Sequence, residues 1–239
     1  MRVAVISDIH ANWHALEAVA EAIEQERPDE VWCIGDVVGY GPQPNECCAW
    51  TSAHADVCLA GNHDLGVLGT LDLASFSDDA AVAARWTQGL LSDTAREYLA
   101  GLEPSGERDG IALFHGSPRD PIWEYVLSYE AAVEAIEDSP ADVTIIGHSH
   151  LPIAIGEGEL VGGHAGNGVE VDLDGRWLLN PGSVGQPRDG DPDAAWRLLD
   201  VEARHASFRR VKYDVEQTQA EMRELGLPDV LADRLSLGV

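Results

Sequence analysis

Five short apolar runs in the first 150 residues constrain the fold of this chain more than any other feature. Each run is almost entirely apolar, which is typical of central strands covered on both faces of a sheet. Helical patterns separate the runs, so the first half of the chain is predicted to alternate strands and helices. The runs are RVAVIS (2–7), EVWCIG (30–35), DVCLAG (56–61), GIALFHG (110–116) and DVTIIGH (142–148).

Apolar residues at helical spacing predict the elements between the runs. In residues 14–26, Leu16, Val19 and Ile23 share one face, while acidic residues occupy the other and Pro28 ends the helix. Ser92 is expected to cap one of the later helices. Further helices are predicted in residues 75–91, 92–102 and 128–139. The first half of the chain therefore has a βαβαβ pattern.

The character of the sequence changes after residue 150. Residues 153–183 show period-two stretches broken by glycines, which predicts β-hairpins. Residues 194–214 predict two antiparallel strands joined by a turn near Glu202–Ala203, and a final helix is expected from Val215. Together the two halves predict a single α/β domain over residues 1–239, with two sheets flanked by helices.

Metal-competent polar side chains follow all five runs at their carboxyl ends. Because ligands of α/β proteins collect at the carboxyl ends of strands, these groups are expected to converge on one place. The pairs Asp8/His10 and His148/His150 have i, i+2 spacing, which on an extended backbone points both side chains the same way. Each pair is therefore expected to hold one ion from one side. The full set is Asp8, His10, Asp36, Asn62, His63, Asp64, His115, His148 and His150.

Each of these residues, taken alone, has another interpretation. Asp8 can cap the helix that follows it, Asp36 can be a turn aspartate, and His115 can be a core histidine with satisfied hydrogen bonds. The tetrapeptide GNHD (61–64) alone is compatible with an ordinary loop. Because five such groups follow five strands, we favour one shared site over five separate explanations.

The residue types indicate which metals suit such a site. Carboxylate, imidazole and amide donors without a thiolate favour Mn, Fe, Zn or Ni over an all-oxygen Mg or Ca site. Two such ions, about 3.5–4 Å apart, clamp a phosphoryl group and acidify a bridging water into a nucleophile. A carboxylate has two oxygens and is therefore suited to bridge the two ions.

Five motifs in this order resemble those of the calcineurin-like metallophosphoesterase superfamily: D-I-H, G-D-V-V-G, G-N-H-D, H-G and G-H-S-H. The match covers residues 8 to 150, and no ligand position is missing. The segment NPGSVGQPR (180–188) also resembles one found in small prokaryotic members. The resemblance implies a four-layer α/β/β/α sandwich of two mixed β-sheets flanked by helices, in agreement with the two-sheet arrangement above.

The resemblance also implies a role for each motif residue. His63 would be the unliganded imidazole that protonates the leaving oxygen, and Asp64 would fix its tautomer and favour its charged form. The implied cofactors are two divalent transition-metal ions, with Mn preferred and Fe, Zn or Ni as alternatives. One ion would be held by Asp8, His10, Asp36 and His150, and the other by Asp36, Asn62, His115 and His148, with Asp36 bridging.

Two arginines lie just beyond motif-bearing segments, Arg119 in HGSPRDP and Arg188 in GQPRDGD. A guanidinium suits a phosphate oxygen because it donates two parallel hydrogen bonds. In so acidic a chain, each arginine can instead pair with the neighbouring Asp120 or Asp189. Arg119 and Arg188 are therefore candidate substrate contacts with an ordinary alternative.

The charge of the chain is strongly negative. It has 42 acidic against 15 basic residues, and Lys212 is its only lysine. The net charge of −27 should repel nucleic acid and anionic membranes. A lysine-poor, acid-rich surface also suits concentrated salt, where the Debye length shortens to about 3 Å at 1 M. We interpret the charge as a halophilic signature, and nucleic acid is not an expected partner.

Targeting signals are not visible in the sequence. No run of about eighteen apolar residues exists, so no transmembrane helix is expected. The start, MRVAVISDIH, lacks the apolar region and cleavage site of a signal peptide. Four cysteines form neither a C-x-x-C pair nor a dense disulfide framework. The sequence therefore predicts a cytoplasmic protein that does not bind membranes.

The leading functional hypothesis is an enzyme that hydrolyses small phosphate esters by direct attack of a metal-bridging hydroxide. Phosphodiesters or nucleotides are slightly favoured, because two helices account for most of the segment between GNHD and His115 and leave no room for a large specificity cap. One alternative is phosphomonoesterase or protein phosphatase-like activity. Another is a non-catalytic scaffold that retains the fold, although the presence of His63 argues against it. A nuclease is disfavoured, since no basic patch or aromatic stripe is visible.

Overall fold

A computed structural model describes residues 1–156, 158–162 and 168–239 of the chain. The strands are β1 (Arg2–Ile6), β2 (Glu30–Cys33), β3 (Val57–Cys58), β4 (Ser105–Arg108), β5 (Ile111–Phe114), β6 (Val143–Ile146), β7 (Pro152–Gly156), β8 (Glu159–Gly162), β9 (Glu170–Asp172), β10 (Trp177–Pro181), β11 (Ala194–Asp200) and β12 (His205–Val211). The helices are α1 (Trp13–Glu26), α2 (Pro44–His54), α3 (Asn62–Leu68), α4 (Asp78–Leu90), α5 (Asp93–Ala100), α6 (Tyr129–Asp138), α7 (Val215–Glu224) and α8 (Asp229–Asp233). Short 3-10 helices cover Leu73–Ser75 and Arg234–Ser236.

The strands form two six-stranded mixed sheets. The first has the order β3-β2-β1-β11-β12-β9, and the second has the order β4-β5-β6-β10-β7-β8. In the first sheet β1 is parallel to β2 and antiparallel to β11. In the second, β6 is parallel to both β5 and β10, while β7 is antiparallel to β10. The predicted fold of two mixed sheets flanked by helices is confirmed.

The alternation of side chains along β1 shows how the layers pack. Val3 and Val5 belong to the apolar cluster between the two sheets, whereas Ala4 and Ile6 belong to the cluster beneath α1 and α2. A strand points successive side chains to opposite faces, so a strand covered on both sides must be apolar at every position. On the far side, Ile146 and Leu178 of the second sheet pack against α6. The result is the four-layer α/β/β/α order.

Local sequence signals explain where the helices begin. The Ser92 hydroxyl accepts a hydrogen bond from the Ala95 amide at 3.2 Å, so the predicted cap of α5 is confirmed. Asn12, and not Asp8, caps α1 by accepting a hydrogen bond from the Ala15 amide. The alternative interpretation of Asp8 as a helix cap is therefore wrong. No helix in the described part of the chain is long and apolar enough to cross a membrane.

Two strand predictions differ from the structure. Residues 56–61 were expected to form a central strand, but β3 has only two residues, both half-buried, and lies at the edge of its sheet. The hairpins expected in residues 153–183 are confirmed only in part. The strands β7 and β8 pair as predicted, whereas β9 joins β12 in the first sheet and β10 joins the second. The glycine-rich stretch at 163–167 lies outside the described residues.

Candidate metal centre

The loops that follow β1, β2 and β6 adopt left-handed backbone conformations at the predicted site residues. The φ angle is 53° at Asp8, 50° at His10 and 53° at Asp36, and it is 61° at His148 and 60° at His150. Non-glycine residues adopt this region uncommonly, and Asp and His do so more readily than most. The expected extended backbone at these i, i+2 pairs is therefore wrong, although Asp8 and His10 lie in one donor group, as expected. The turn sends His148 and His150 into different donor groups.

Backbone contacts lock these loops together. The Asp8 amide donates to the Gly35 carbonyl at 3.0 Å, and the His10 amide donates to the Asp36 carbonyl at 2.9 Å. A Cβ atom on Gly61 would lie 2.0 Å from Asp36 Oδ1, so only glycine lets this loop approach the carboxylate. The same Asp36 Oδ1 accepts a hydrogen bond from the His63 amide at 2.8 Å. The GNHD loop is thus built around Asp36.

The segment NPGSVGQPR supports the same loops from the other side. The Asn180 side-chain amide donates to the Gly147 carbonyl at 2.6 Å, directly before His148. The Ser183 hydroxyl donates to the Asp8 carbonyl at 2.7 Å. Both side chains are completely buried. This segment therefore positions two of the motif loops.

The predicted ligand side chains form two adjacent donor groups, Asp8-His10-His150 and Asp36-His115-His148, and a third group of His10, Asp36 and His63 shares one residue with each. In the first group, His10 Nε2 lies 3.0 Å from His150 Nε2, and His150 Nε2 lies 3.4 Å from Asp8 Oδ1. Asp36 Oδ2 lies 3.6 Å from His10 Nε2 and 3.5 Å from His115 Nε2. The second group consists of Asp36, His115 and His148, and the Asn62 side-chain oxygen lies 3.2 Å from His115 Nε2. The structure thus brings together all seven residues predicted as ligands.

The hydrogen bonds within the site direct its donor atoms inward. The Nδ1 atoms of His10, His115 and His150 lie 3.3, 2.8 and 2.6 Å from backbone carbonyl oxygens. A carbonyl only accepts, so each Nδ1 carries the hydrogen and the Nε2 atom faces the cluster. Within the described residues, Asp8 Oδ1, Asp36 Oδ2 and His148 Nε2 are buried without a hydrogen-bond partner. Buried polar atoms need partners, and this donor set fits divalent transition-metal ions.

Burial and neighbouring charges set the pKa values of these groups. Burial alone would raise the pKa of Asp36, but the neighbouring imidazoles, His115 first among them, hold it well below its usual value. Burial also disfavours the His115 cation, yet the Asp36 carboxylate outweighs this effect and raises the pKa of His115 to about 9. Burial lowers the pKa of His148 to about 3. Asp36 is therefore ionised at neutral pH and carries the negative charge that a cation requires.

His63, the second residue of α3, also lies within a donor group, with His10 and Asp36. Its ring packs against Tyr40 with a centroid distance of 4.4 Å and meets the edge of His10 at 4.9 Å. Burial lowers the pKa of His63 to about 4, although the Asp36 carboxylate opposes this shift. The imidazole is therefore neutral at neutral pH, and its buried Nδ1 has no hydrogen-bond partner within the described residues.

Asp64 does not have the role predicted from the sequence. Its carboxylate accepts hydrogen bonds from the backbone amides of Val37, Val38 and Gly61 at 3.2, 3.0 and 2.9 Å. No hydrogen bond joins it to His63 in the part of the chain that the structure describes. Because three amides already occupy its oxygens, Asp64 ties the GDVVG loop to the GNHD loop and does not orient the imidazole.

The two candidate arginines have different surroundings. Arg188 donates to the Gln186 side chain at 3.1 Å, and its positive charge disfavours the protonated forms of His10, His63 and His150. Asp189 pairs with Arg210, so the alternative pairing with Arg188 is wrong. The Arg119 guanidinium is instead bound by Glu124 and Glu134. Arg188 therefore lies at the site, and the assignment of Arg119 as a substrate contact is not supported by its contacts.

Aromatic side chains around the site were missed by sequence reasoning. Tyr40 packs on His10 and His63, Phe76 meets the edge of His63 at 5.1 Å, and Tyr125 stacks on His148 at 3.8 Å. These three rings are far apart in the chain and show no regular spacing. Only Tyr40, which follows GDVVG directly, could have been associated with the site from its position in the sequence. These rings give the metal-competent cluster an apolar rim.

Comparison with known proteins agrees with this arrangement. The model of the calcineurin-like phosphoesterase superfamily domain matches residues 1–204. An uncharacterized protein of Methanocaldococcus jannaschii is 35% identical over 243 residues, covering 99% of this chain and 98% of that protein. Phosphodiesterase YfcE of Escherichia coli is 27% identical over 214 residues, covering 84% of this chain and 88% of that protein.

A solved structure extends the likeness to the whole chain. The crystal structure of a metallophosphoesterase from Sphaerobacter thermophilus has a TM-score of 0.90 at 40% sequence identity. The match covers 100% of this chain and 99% of that one. The motifs, the two-sheet fold and the family match agree, and the chain belongs to the calcineurin-like phosphoesterase superfamily.

Proposed function

We propose that this protein is a dinuclear-metal-dependent phosphoesterase that hydrolyses small phosphodiesters. The observation that carries the proposal is the pair of adjacent donor groups, with Asp36 Oδ2 lying 3.6 Å from His10 of one and 3.5 Å from His115 of the other. Asp8 Oδ1, Asp36 Oδ2 and His148 Nε2 are buried and unpaired among the described residues. Asp8, His10, Asp36 and His150 would hold one ion, and Asp36, Asn62, His115 and His148 the other. When bound, two such ions supply Lewis-acid polarisation of the phosphoryl group and an activated water.

His63 and Arg188 would both act on the phosphate group of the substrate. A neutral imidazole still donates one hydrogen bond to a phosphate oxygen, and an arriving phosphate anion would raise its pKa and favour its protonation. His63 would then give its proton to the departing oxygen. Arg188 would bind a non-bridging phosphate oxygen through a charge-assisted hydrogen bond. Asp64 would act indirectly, by fixing the loop from which His63 projects.

Preference for diesters rests on the shape of the chain around the site. Residues 62–114 fold into α3, a short 3-10 helix, α4, α5 and the strands β4 and β5, and form no separate cap. A site without a cap admits substrates with groups on both sides of the phosphorus. The relative in Escherichia coli that shares 27% identity is named a phosphodiesterase, which agrees with this preference.

A metal-reconstitution assay tests the proposal. Bound metal is first removed from the protein with a chelator, and Mn, Fe, Zn or Ni is then added back. Each sample is assayed on bis-(p-nitrophenyl) phosphate and on p-nitrophenyl phosphate. We expect metal-dependent hydrolysis, highest with Mn, and a larger kcat/KM for the diester. The Asp36→Asn variant should lose bound metal and activity together. Preference for the monoester would reverse the substrate assignment, and absence of hydrolysis with every metal would favour a non-catalytic scaffold.

A further inference from the structure

The loop between β5 and α6 places two aromatic side chains at the candidate metal centre. The Trp123 ring meets Phe76 with a centroid distance of 5.1 Å, and Phe76 meets His63 at the same distance. Two residues further on, the Tyr125 ring stacks on His148 with a centroid distance of 3.8 Å and an interplanar angle of 29°. One short segment therefore contacts a proposed metal ligand directly and the proposed proton donor through Phe76.

This loop is held tightly against the motif residue His115. The Gly116 amide donates to the Pro121 carbonyl at 2.8 Å, and the Ser117 amide donates to the Asp120 carbonyl at 2.9 Å. A Cβ atom on Gly116 would lie 2.5 Å from the Asp120 carbonyl oxygen, so glycine is needed for this turn. Asp120 Oδ1 also accepts a hydrogen bond from the Trp123 amide at 3.0 Å. The backbone that carries Trp123 is thus fixed relative to His115.

Glu124 is bound away from the site. The Ser117 hydroxyl donates to its carboxylate, and Arg119 Nε donates to Glu124 Oε2 at 3.1 Å. Arg119 also pairs with Glu134 of α6. These contacts hold the segment through its middle residue, while Trp123 and Tyr125 contact the rim of the site. Arg119 therefore positions the aromatic segment.

The two rings are not explained by core packing. Within the described residues, neither Trp123 nor Tyr125 belongs to a buried apolar cluster, and Tyr125 is 45% exposed. Trp123 is also partly exposed. Exposed aromatic rings offer flat faces to a ligand. Burial raises the pKa of the Tyr125 hydroxyl and the positive charge of Arg188 opposes this shift, so a guanidinium lies near this aromatic ring.

We propose that Trp123 and Tyr125 form a binding surface for a flat aromatic group, the size of a nucleobase, carried by the substrate next to its phosphate. Stacking on an aromatic face accepts any base, because every base has a π-face. Arg188 would hold the phosphate at the same time. The inference rests on the proposed function and narrows its substrates to nucleoside phosphate esters.

Two ligands that differ only in the base test this surface. Adenosine 5′-monophosphate and ribose 5-phosphate carry the same sugar phosphate, so the ratio of their affinities isolates the aromatic group. We expect the nucleotide to bind at least about tenfold more tightly, the scale of base stacking on an aromatic side chain. Calorimetric titration of the full chain measures both affinities without turnover, and competition with hydrolysis of bis-(p-nitrophenyl) phosphate repeats the measurement during catalysis.

Variants of Trp123 and Tyr125 test whether these two rings cause the difference in affinity. Trp123→Leu and Tyr125→Leu should each reduce the affinity ratio severalfold. Trp123→Leu should leave the affinity for ribose 5-phosphate nearly unchanged, whereas Tyr125→Leu, whose ring packs on His148, is judged by the ratio alone. Trp123→Phe keeps an aromatic ring at this position and should therefore retain most of the wild-type affinity ratio. Trp50→Leu is the control, because the Trp50 ring stacks on His54 of α2 and touches no site residue within the described contacts.

The outcomes separate this inference from the proposed function. A wild-type ratio near one, or a ratio unchanged in both leucine variants, overturns the aromatic surface even if diesters are hydrolysed. A clear ratio that falls in these variants supports the surface even if no aryl ester is hydrolysed. Circular dichroism confirms folding, and if Trp123→Leu fails to fold, Trp123→Phe and Tyr125→Leu still decide between the outcomes.

Discussion

The Nε2 atoms of His10 and His150 lie 3.0 Å apart, although 140 residues separate the two histidines in the chain. Each ring is held through Nδ1 by a backbone carbonyl, that of Val38 for His10 and that of Gln186 for His150. Burial holds the pKa of both rings well below the usual value, so both are neutral. Two inward-facing lone pairs at this distance suit a shared cation.

Loss of one of these rings should therefore lower the metal content. We expect His150→Ala to retain at most one tightly bound transition-metal ion per chain, where the wild type retains two. His14→Ala is the matched control, because His14 lies on α1 and contacts Glu221 at 3.0 Å. Mass spectrometric metal analysis after exhaustive dialysis measures the difference. Full metal content in His150→Ala would remove this residue from the ligand set.

Metal affinity should depend on pH through His115 and Asp8. The Asp36 carboxylate outweighs burial and raises the pKa of His115 to about 9, while burial raises the pKa of Asp8 to about 7. At neutral pH the metal-free protein therefore holds protons that a cation must displace, so affinity should increase with pH up to about 9. The increase should reach about tenfold per pH unit for each proton released. Calorimetric titration with Mn²⁺ across this range checks the slope, and an affinity independent of pH would contradict it.

The neighbouring residues Asn62 and His63 should be separable by mutation. His63→Ala is expected to keep both metals and to slow turnover by about 10²–10⁴-fold, the usual scale for losing a general acid. The loss should be larger for alkoxide leaving groups than for p-nitrophenolate, which departs readily without a proton. Asn62→Ala should instead weaken one metal and slow all substrates alike. Equal losses for good and poor leaving groups in His63→Ala would leave His63 only an electrostatic role.

Phosphate binding should distinguish the two arginines. Arg188 lies beside the imidazoles of the site, whereas Glu124 and Glu134 bind Arg119. We expect Arg188→Gln to weaken inhibition by inorganic phosphate about tenfold or more, the scale of a lost charge-assisted hydrogen bond. Arg119→Gln should leave this inhibition constant nearly unchanged. If Arg119→Gln weakens the inhibition and Arg188→Gln does not, Arg119 is the residue that binds the phosphate.

Stability should increase with salt concentration. The chain carries 42 acidic and 15 basic residues, so repulsion among carboxylates opposes the compact state. Molar salt shortens the Debye length to about 3 Å and screens this repulsion. We expect the thermal unfolding midpoint to rise steeply between low and molar KCl, as measured by circular dichroism at constant pH. A midpoint that stays constant would reject the halophilic interpretation.

The sequence by itself determined the sheet class and the identity of the converging residues. A nearly all-apolar run such as residues 2–7 predicts a strand covered on both faces, since period-two alternation places its side chains in two different layers. Polar residues after five such runs were expected to meet at the strand ends, and the structure brings them together. These features depend on composition and spacing along the chain, which a single sequence contains.

Only the tertiary structure decided where each side chain points. Left-handed φ angles at His148 and His150 send them to different donor groups, and three backbone amides occupy Asp64. Arg119 binds Glu124 and not the site residues. The Tyr125 ring stacks on His148. Such directions follow from contacts between segments distant in sequence, which constrain the backbone against its local preference. Spacing alone carries no information about them.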